Sequence, residues 1–448
     1  MAIRQDIGAL FTDLYQVAMA QAYWAQAMSG TAVFETFFRK LPPSRSYIVA
    51  AGLSDVVDFL ESYRFDEQDL DYLRSLGQFS DEFLRWLAGV RFTGEVWAVP
   101  EGTVVFPNEP IVAVIAPIIE AQLVETFVLN QVHLQSVLAS KAARVVGAAR
   151  GRPVVDFGAR RAHGADAALK VARTSYLAGA AGTRHYGIPA FGTMAHSYVQ
   201  AFDNEIDAFD TFARLYPGTT LLVDTYDTLR GVDRVIELAR RLGDRFDVRA
   251  VRLDSGDLGA LSKAARARLD AAGLNRVEIF ASSGLDEHRI AALLAAGCPI
   301  DGFGVGTNLV VAADAPALDM AYKLVEYDGI GRTKLSSGKV IYPGRKQVLR
   351  SLEHGVFTGD LLGRHDEKLP GEPLLVPIMS KGRRLARHVS DLAAARDRAR
   401  QQTDALPPEL RSLDDIGYTY PVVVSDAVVS ELERIRRSGR ATRGSQPS

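Results

Sequence analysis

From Arg152 onward the chain repeats one pattern: a short apolar run, then polar and glycine-rich residues, then an amphipathic stretch. The candidate strands are Val154–Phe157, Ile188–Gly192, Thr219–Asp224, Val248–Asp254, Val277–Ser282, Ile300–Val305 and Tyr322–Glu326. A strand every roughly 20–35 residues predicts parallel strands joined by helical crossovers, as a (β/α) barrel or a doubly wound sheet. Three intervening helices end at Gly243, Gly273 and Gly297. Glycine readily takes the left-handed conformation that closes a helix. In either architecture the C-terminal strand ends form the active site. Just after the strands stand Arg160, His196, Asp227, Ser255, Ser283 and Gly306.

The first 150 residues have a different texture. Residues 12–30 have helical spacing, Ala32–Phe38 alternates as a strand, and Gly52–Tyr63 and Asp66–Leu76 read as short amphipathic helices. Residues 93–116, with the turn signals PEG and PNEP, predict short strands. A helix follows from Glu120 to about Arg150, broken only at Gly147. Beyond the barrel pattern, residues 330–350 are basic and punctuated by glycine, and 351–380 read as β-rich. Helices are expected over Asp391–Gln402 and at PPEL, and the final RIRRSGRATRGSQPS as a disordered tail.

A net charge of −2 argues against a general nucleic-acid binder. The single cysteine, Cys298, excludes an internal disulfide framework and cysteine-rich zinc sites, and fits a reducing compartment. The N-terminus lacks the pattern of a secretory signal. The most apolar run, Ile111–Ile119, falls short of the about 20 residues a spanning helix needs. The expectation is a cytoplasmic protein with no membrane partner.

The chemistry lies in six motifs. DFGARRAHG (Asp156–Gly164) places Phe157, Arg160 and Arg161 at a strand end, and guanidinium groups bind phosphate or carboxylate in a fork. FGTMAHS (Phe191–Ser197) sets His196, a potential nucleophile, among small residues. LLVDTYD offers Asp224 and Asp227; VRLDSGDL offers Arg252, Asp254 and Asp257. These carboxylates suit ribose hydroxyls, a water-bridged magnesium ion or an orienting bond to histidine, with Asp257 equally explained as a helix N-cap. ASSGLDE (Ser283, Gly284) and GFGVGTN (Gly304, Gly306, Thr307) are glycine-rich turns whose exposed N–H groups suit a phosphate. Together they describe an enzyme acting on a phosphorylated sugar with magnesium, leaving aldolase, isomerase and glycosyl-transfer chemistry open.

Taken as whole strings, these motifs resemble the nicotinate phosphoribosyltransferase family nearly end to end. The matching segments are TDLYQ (Thr12–Gln16), FETFFRKLP (Phe34–Pro42), DFGARRAHG, GIPAFGTMAHS, VDTYDT, VRLDSGDL, the Gly302–Thr307 turn and KLSSGKVIYPGRKQVLR. The resemblance implies an α/β fold: an irregular (β/α) barrel of the type II phosphoribosyltransferase kind, plus a mixed α+β domain from both chain ends. The corresponding domains are 1–150, a barrel over 151–330, a C-terminal segment 331–434 packing back on the N-terminal domain, and a tail 435–448. It implies transfer of phosphoribosyl from phosphoribosyl pyrophosphate (PRPP) to nicotinate, coupled to ATP hydrolysis through a phosphohistidine, in NAD salvage. Mg²⁺ would be held through substrate phosphates rather than by protein ligands alone. A homodimer with shared active sites is also implied.

By the same resemblance, His196 is the phosphorylated residue, with Asp224, Asp227 and Asp254 as the catalytic carboxylates. Phe157 and Tyr15 of the partner subunit sandwich the pyridine. Arg160 and Arg252 hold carboxylate or phosphate, and Ser283, Gly284, Gly304, Gly306 and Thr307 cradle the 5′-phosphate. Arg39, Lys334, Lys339, Arg345 and Lys346 correspond to the ATP and pyrophosphate site. The sequence departs from the family between TSYLAG and GIPAFGT, where AAGTRHY (Ala180–Tyr186) replaces a longer segment. Nicotinamide phosphoribosyltransferase and a non-catalytic metabolite-binding relative are the alternatives. Thr183 and Arg184 in that segment favour an anionic base over an amide. Quinolinate phosphoribosyltransferase shares the barrel but is shorter and lacks the histidine motif.

Overall fold

The computed structural model describes residues 8–181, 185–188, 190–335, 340–385, 391–414 and 417–441. The chain divides into two compact units, Lys141–Asp314 and the combination of Met1–Ser140 with Ala315–Ser448.

The Lys141–Asp314 unit carries five parallel strands in the spatial order Val154–Asp156, Gly302–Val305, Glu278–Ala281, Val248–Leu253, Thr219–Leu222. The first strand pairs with the last, and the remainder follow in reverse chain order. The sheet curls as a half-barrel, with Val154–Asp156 and Thr219–Leu222 at its two edges. An isolated bridge from Val155 to Ala181 continues it beyond the first strand.

Three successive crossovers use the same local device. After the strand comes an aspartate in extended backbone, whose Oδ1 accepts an N–H from the first helical turn. Asp227 accepts from Arg230 at 2.8 Å, Asp257 from Ala260 at 3.0 Å, and Asp286 from Arg289 at 2.8 Å. The helices are Thr228–Leu242, Leu258–Ala271 and Glu287–Ala295. The glycine beyond each, at 243, 273 and 297, has φ between 55° and 74°.

The second unit holds a seven-stranded sheet in the order Ile330–Gly331, Met320–Tyr327, Thr31–Phe38, Val112–Pro117, Glu95–Ala98, Val376–Ser380, Arg383–Arg384. A four-stranded sheet (Glu372–Pro373, Lys346–Glu353, Val356–Arg364, Val422–Val424) and a small pair (Ile48–Val49, Val104–Val105) complete it. Segments from both chain ends share these sheets.

Several expectations are corrected. Tyr322–Glu326 does form a strand, but it pairs antiparallel with Thr31–Phe38, Thr36 opposite Tyr322, so Gly302–Val305 is the last strand along the chain to join the parallel sheet. Around 188–192, the described residues Ile188 and Ala190–Gly192 belong to no extended strand. Ala181 takes the place beside Val155. The break in the long helix falls at Val124, between Ile118–Leu123 and Glu125–Ala148, with Gly147 inside the helix. The helix Asp426–Ala441 runs through much of the segment read as a tail. Among the described residues, no helix is long and apolar enough to cross a membrane.

Candidate active site

The Lys141–Asp314 unit collects the polar groups at the C-terminal rim of its sheet. His196 opens the short helix His196–Gln200 and is partly exposed. Its Nδ1 lies 3.1 Å from Thr225 Oγ1, and its Nε2 lies 3.5 Å from Asp254 Oδ2. Thr225 follows the strand Thr219–Leu222, and Asp254 follows Val248–Leu253. The imidazole is thus gripped by residues from two neighbouring strand ends.

An orienting bond to this ring was one of the roles open to Asp224 or Asp227 from sequence. Neither bonds to it. Asp224 is buried and serves the next strand end: its Oδ2 accepts the N–H of Asp254 at 2.9 Å and the hydroxyl of Ser255 at 2.6 Å. Its Oδ1 is buried without a hydrogen-bond partner. Asp227 is exposed and caps its helix, as does Asp257. Asp254 Oδ1 accepts the Ser282 hydroxyl at 2.5 Å.

Arg252 points inward from its strand and donates to Thr193 Oγ1 at 2.5 Å. Burial lowers its pKa, and the like charge of Arg160 adds to this, while Asp254 and Asp224 oppose it. The buried Nε of Arg252 has no partner. The guanidinium also lies 5.7 Å from the centre of the Phe157 ring, within cation–π range. Arg160 and Arg161 share a 3₁₀ turn, Ala159–Arg161. Both are exposed, and Arg161 donates to Thr307 Oγ1 at 2.9 Å.

Phe157 packs with Phe280 at 6.0 Å and Phe191 at 6.4 Å. Phe191 and Phe280 themselves stack at 5.4 Å. Gly304, read from sequence as part of a phosphate turn, lies buried within its strand. A Cβ on it would come within 2.4 Å of the Phe157 ring. Its place is therefore beside that ring, while Gly306 and Thr307 stand at the turn itself. At the neighbouring turn, Ser283 and Gly284 have φ of 89° and 58°. Asp156 is buried, and loss of solvent pushes its pKa up to about 6, opposed by the 2.7 Å bond from Gly158 N–H.

The other sequence candidates belong to the second unit. Tyr15 is 52 % exposed on the helix Leu14–Ala25, with Phe11 and Leu14 also exposed nearby. Arg39 pairs with Asp319 at 2.9 Å and, with Lys323, Lys334 and Tyr322, lines a cavity of about 340 Å³. Arg345 lies over the Trp97 ring at 4.6 Å. Lys346, expected at a phosphate site, is instead buried. Its ammonium contacts Glu35 at 2.7 Å and donates to the carbonyls of Tyr342 and Gly344. Burial lowers its pKa against the pull of Glu35. Lys339, Thr183 and Arg184 lie outside the described residues.

The hydroxyls of Thr193, Thr225 and Ser282 were not assigned site roles from sequence. For Thr225 the available signal was its place directly after a motif aspartate, as Ser255 follows Asp254.

A half-barrel whose rim combines a histidine, carboxylates, arginines and two glycine-bearing turns defines an α/β enzyme site for a polar ligand. Family models agree. Residues 10–133 match the nicotinate phosphoribosyltransferase (NAPRTase) N-terminal domain, and residues 153–332 match the nicotinate phosphoribosyltransferase (NAPRTase) family. The chain is 80 % identical over 447 residues to nicotinate phosphoribosyltransferase pncB2 of Mycobacterium tuberculosis, covering 98 % of this chain and 96 % of that protein. It is 44 % identical over 382 residues to the Bacillus subtilis nicotinate phosphoribosyltransferase, covering 82 % and 78 %. The crystal structure of human nicotinic acid phosphoribosyltransferase superposes with a TM-score of 0.82 at 28 % identity, covering 95 % of this chain and 99 % of that one. The chain belongs to the nicotinate phosphoribosyltransferase family.

Proposed function

We propose that this protein forms nicotinate mononucleotide and pyrophosphate from nicotinate and PRPP in NAD salvage, with ATP hydrolysis coupled through a phosphohistidine at His196. The observation that carries the reading is the placing of His196 between Thr225 and Asp254 at a rim that also presents Arg252 and the Ser283–Gly284 turn.

The chemistry suits these groups. The pyridine nitrogen already holds a lone pair, so no general base is needed to activate it. The barrier is loss of pyrophosphate from a ribose that becomes oxocarbenium-like. Asp254 and Asp224 favour that cation, and cationic side chains favour the departing anion. Phe157 offers one face for the pyridine, with Tyr15 of the partner subunit as the second. Arg160 and Arg252 make a cationic neighbourhood, which favours a carboxylate over the neutral amide of nicotinamide.

Among the described residues there is no cluster of three or more His, Cys, Asp or Glu able to cage a metal. The unpartnered Asp224 Oδ1 nevertheless fits a metal-bound water or a ribose hydroxyl. Mg²⁺ bound with the substrate phosphates would neutralise leaving-group charge, with Asp224 and Asp254 holding it through water. The homodimer and the cytoplasmic location belong to the same proposal.

The test is product formation from PRPP with nicotinate or nicotinamide, each with and without ATP. Nicotinate-dependent, ATP-stimulated mononucleotide formation is expected. His196→Ala should lose acid-labile, base-stable phosphoryl labelling and the ATP stimulation, keeping a slow ATP-independent transfer. A preference for nicotinamide would move the assignment to that base. A His196→Ala protein that still labels would remove the phosphohistidine.

A further inference from the structure

We infer that Thr225 is the positioning residue that holds Nδ1 of His196 in either tautomer; this rests on the proposed role of His196 as the group that accepts a phosphoryl. The ring has two polar neighbours of different kinds. Asp254, 3.5 Å from Nε2, offers a carboxylate oxygen that only accepts when ionised. Thr225, 3.1 Å from Nδ1, offers a hydroxyl that donates or accepts by rotating its hydrogen.

With Nε2 protonated and turned toward Asp254, Thr225 donates to the bare Nδ1. With Nδ1 protonated, Thr225 accepts, and Nε2 presents its lone pair. A carboxylate in place of Thr225 would hold the second state alone, and an apolar side chain would leave Nδ1 without a partner in either. Among the described residues, Thr225 supplies the hydrogen bond to the ring, and its neighbours are engaged elsewhere through the atoms that face them. Asp224 Oδ2 is taken by Asp254 N–H and Ser255, Asp254 Oδ1 by Ser282, and Thr193 by Arg252.

The step this serves is balanced as follows. In the Nδ1–H tautomer, the Nε2 lone pair attacks the γ-phosphorus of a nucleoside triphosphate. The bond from that phosphorus to the β–γ bridging oxygen breaks, and the nucleoside diphosphate leaves with the electron pair. Nδ1 keeps its proton, so the ring gains positive charge, which Thr225 Oγ1 meets as an acceptor. Phosphorylation through Nε2 therefore uses the hydroxyl in its accepting sense, and return of the free histidine to Asp254 uses it in its donating sense.

The experiment compares wild type, Thr225→Val and Thr225→Ser as full chains. Phosphoryl incorporation is followed from radiolabelled ATP with magnesium, and nitrogen NMR of labelled histidine rings reads the tautomer, with His196→Ala identifying the His196 signals. Thr225→Val should slow incorporation by about tenfold, the scale of one lost hydrogen bond, and change the His196 tautomer ratio. Thr225→Ser should restore both. If the valine variant fails to fold, Thr225→Ala, which only removes atoms, takes its place in both assays. Unchanged tautomer and labelling in Thr225→Val, or a serine variant as defective as valine, overturns the inference. Absence of label at His196 in wild type would instead overturn the proposed phosphohistidine, and the ring spectra would still decide the role of Thr225.

Discussion

Asp224 accepts the backbone N–H of Asp254 at 2.9 Å, so one strand-end carboxylate fixes the backbone that carries the other. The same oxygen takes the Ser255 hydroxyl. Asp254 in turn faces His196 Nε2. The position of the carboxylate opposite the histidine is therefore set from a neighbouring strand, through a group that does not itself touch the ring.

Removing that support should cost both fold and function. Asp224→Ala leaves the Asp254 N–H and the Ser255 hydroxyl without their acceptor, a penalty of about 1–3 kcal/mol for each polar group that stays buried and unsatisfied. The expected result is a lower urea midpoint together with loss of transferase activity. Asp227→Ala, which removes only an exposed helix cap, should cost about 1 kcal/mol of stability and change turnover far less. Equal losses of activity in the two variants would contradict this division.

The base-binding ring can be tested from two sides. Phe157→Ala should weaken nicotinate binding by about 1–3 kcal/mol, the magnitude of base–aromatic stacking. Gly304→Ala should act on the same step indirectly, because its Cβ would meet the Phe157 ring at 2.4 Å. Overpacking of this kind costs about 1–3 kcal/mol in stability as the ring is displaced. In both variants the nicotinate KM is expected to rise more than the PRPP KM. A Gly304→Ala enzyme with impaired PRPP binding alone would return Gly304 to the phosphate turn.

These cases also mark what could be read along the chain. The three strand–helix crossovers were legible because each is local: an apolar run, helical spacing and a terminal glycine; of their three capping aspartates only Asp257 was read as a cap. The rim residues followed, since parallel strands fix which end bears the site. Pairing direction was not legible. Tyr322–Glu326 has the same apolar texture as the barrel strands, yet its partner is Thr31–Phe38, almost 300 residues away in sequence, and nothing local distinguishes the two outcomes. Lys346 looked like a loop cation because its counter-ion, Glu35, lies on that same distant strand. Thr225 was passed over because the partner of a histidine depends on the register between strand ends, and the aspartates beside it were the more obvious candidates.

In the second unit, His133 provides a pH-dependent contact. Its Nε2 accepts the N–H of Leu318 at 3.0 Å, which requires the neutral ring, and burial lowers its pKa. The folded state therefore disfavours the proton that the unfolded chain binds at about 6.5. Stability from this group is complete above that value and declines as pH falls toward the folded pKa. His133→Gln, which can still accept from Leu318, should flatten this part of the urea-midpoint profile. An unchanged profile below pH about 6.5 would exclude His133 as its source.

Asp156 has the opposite sign. Burial raises its pKa to about 6, above the ordinary carboxylate value, so the fold favours the protonated acid. Its stabilising contribution is complete below about pH 4 and is lost as pH rises through about 6, a difference on the order of 3 kcal/mol. Asparagine mimics the protonated acid: its oxygen can accept from Gly158 N–H as Asp156 Oδ1 does, and its amide replaces the acid hydroxyl without a charge. Asp156→Asn should therefore gain stability relative to wild type as pH rises from about 4 to 7, by up to that amount. Urea unfolding of both proteins across this interval gives the comparison directly, and because it is a difference between two proteins that both contain His133, the opposing titration of that histidine cancels. A stability difference that is flat with pH would mean that Asp156 is ionised in the fold, with its charge carried by the Gly158 N–H.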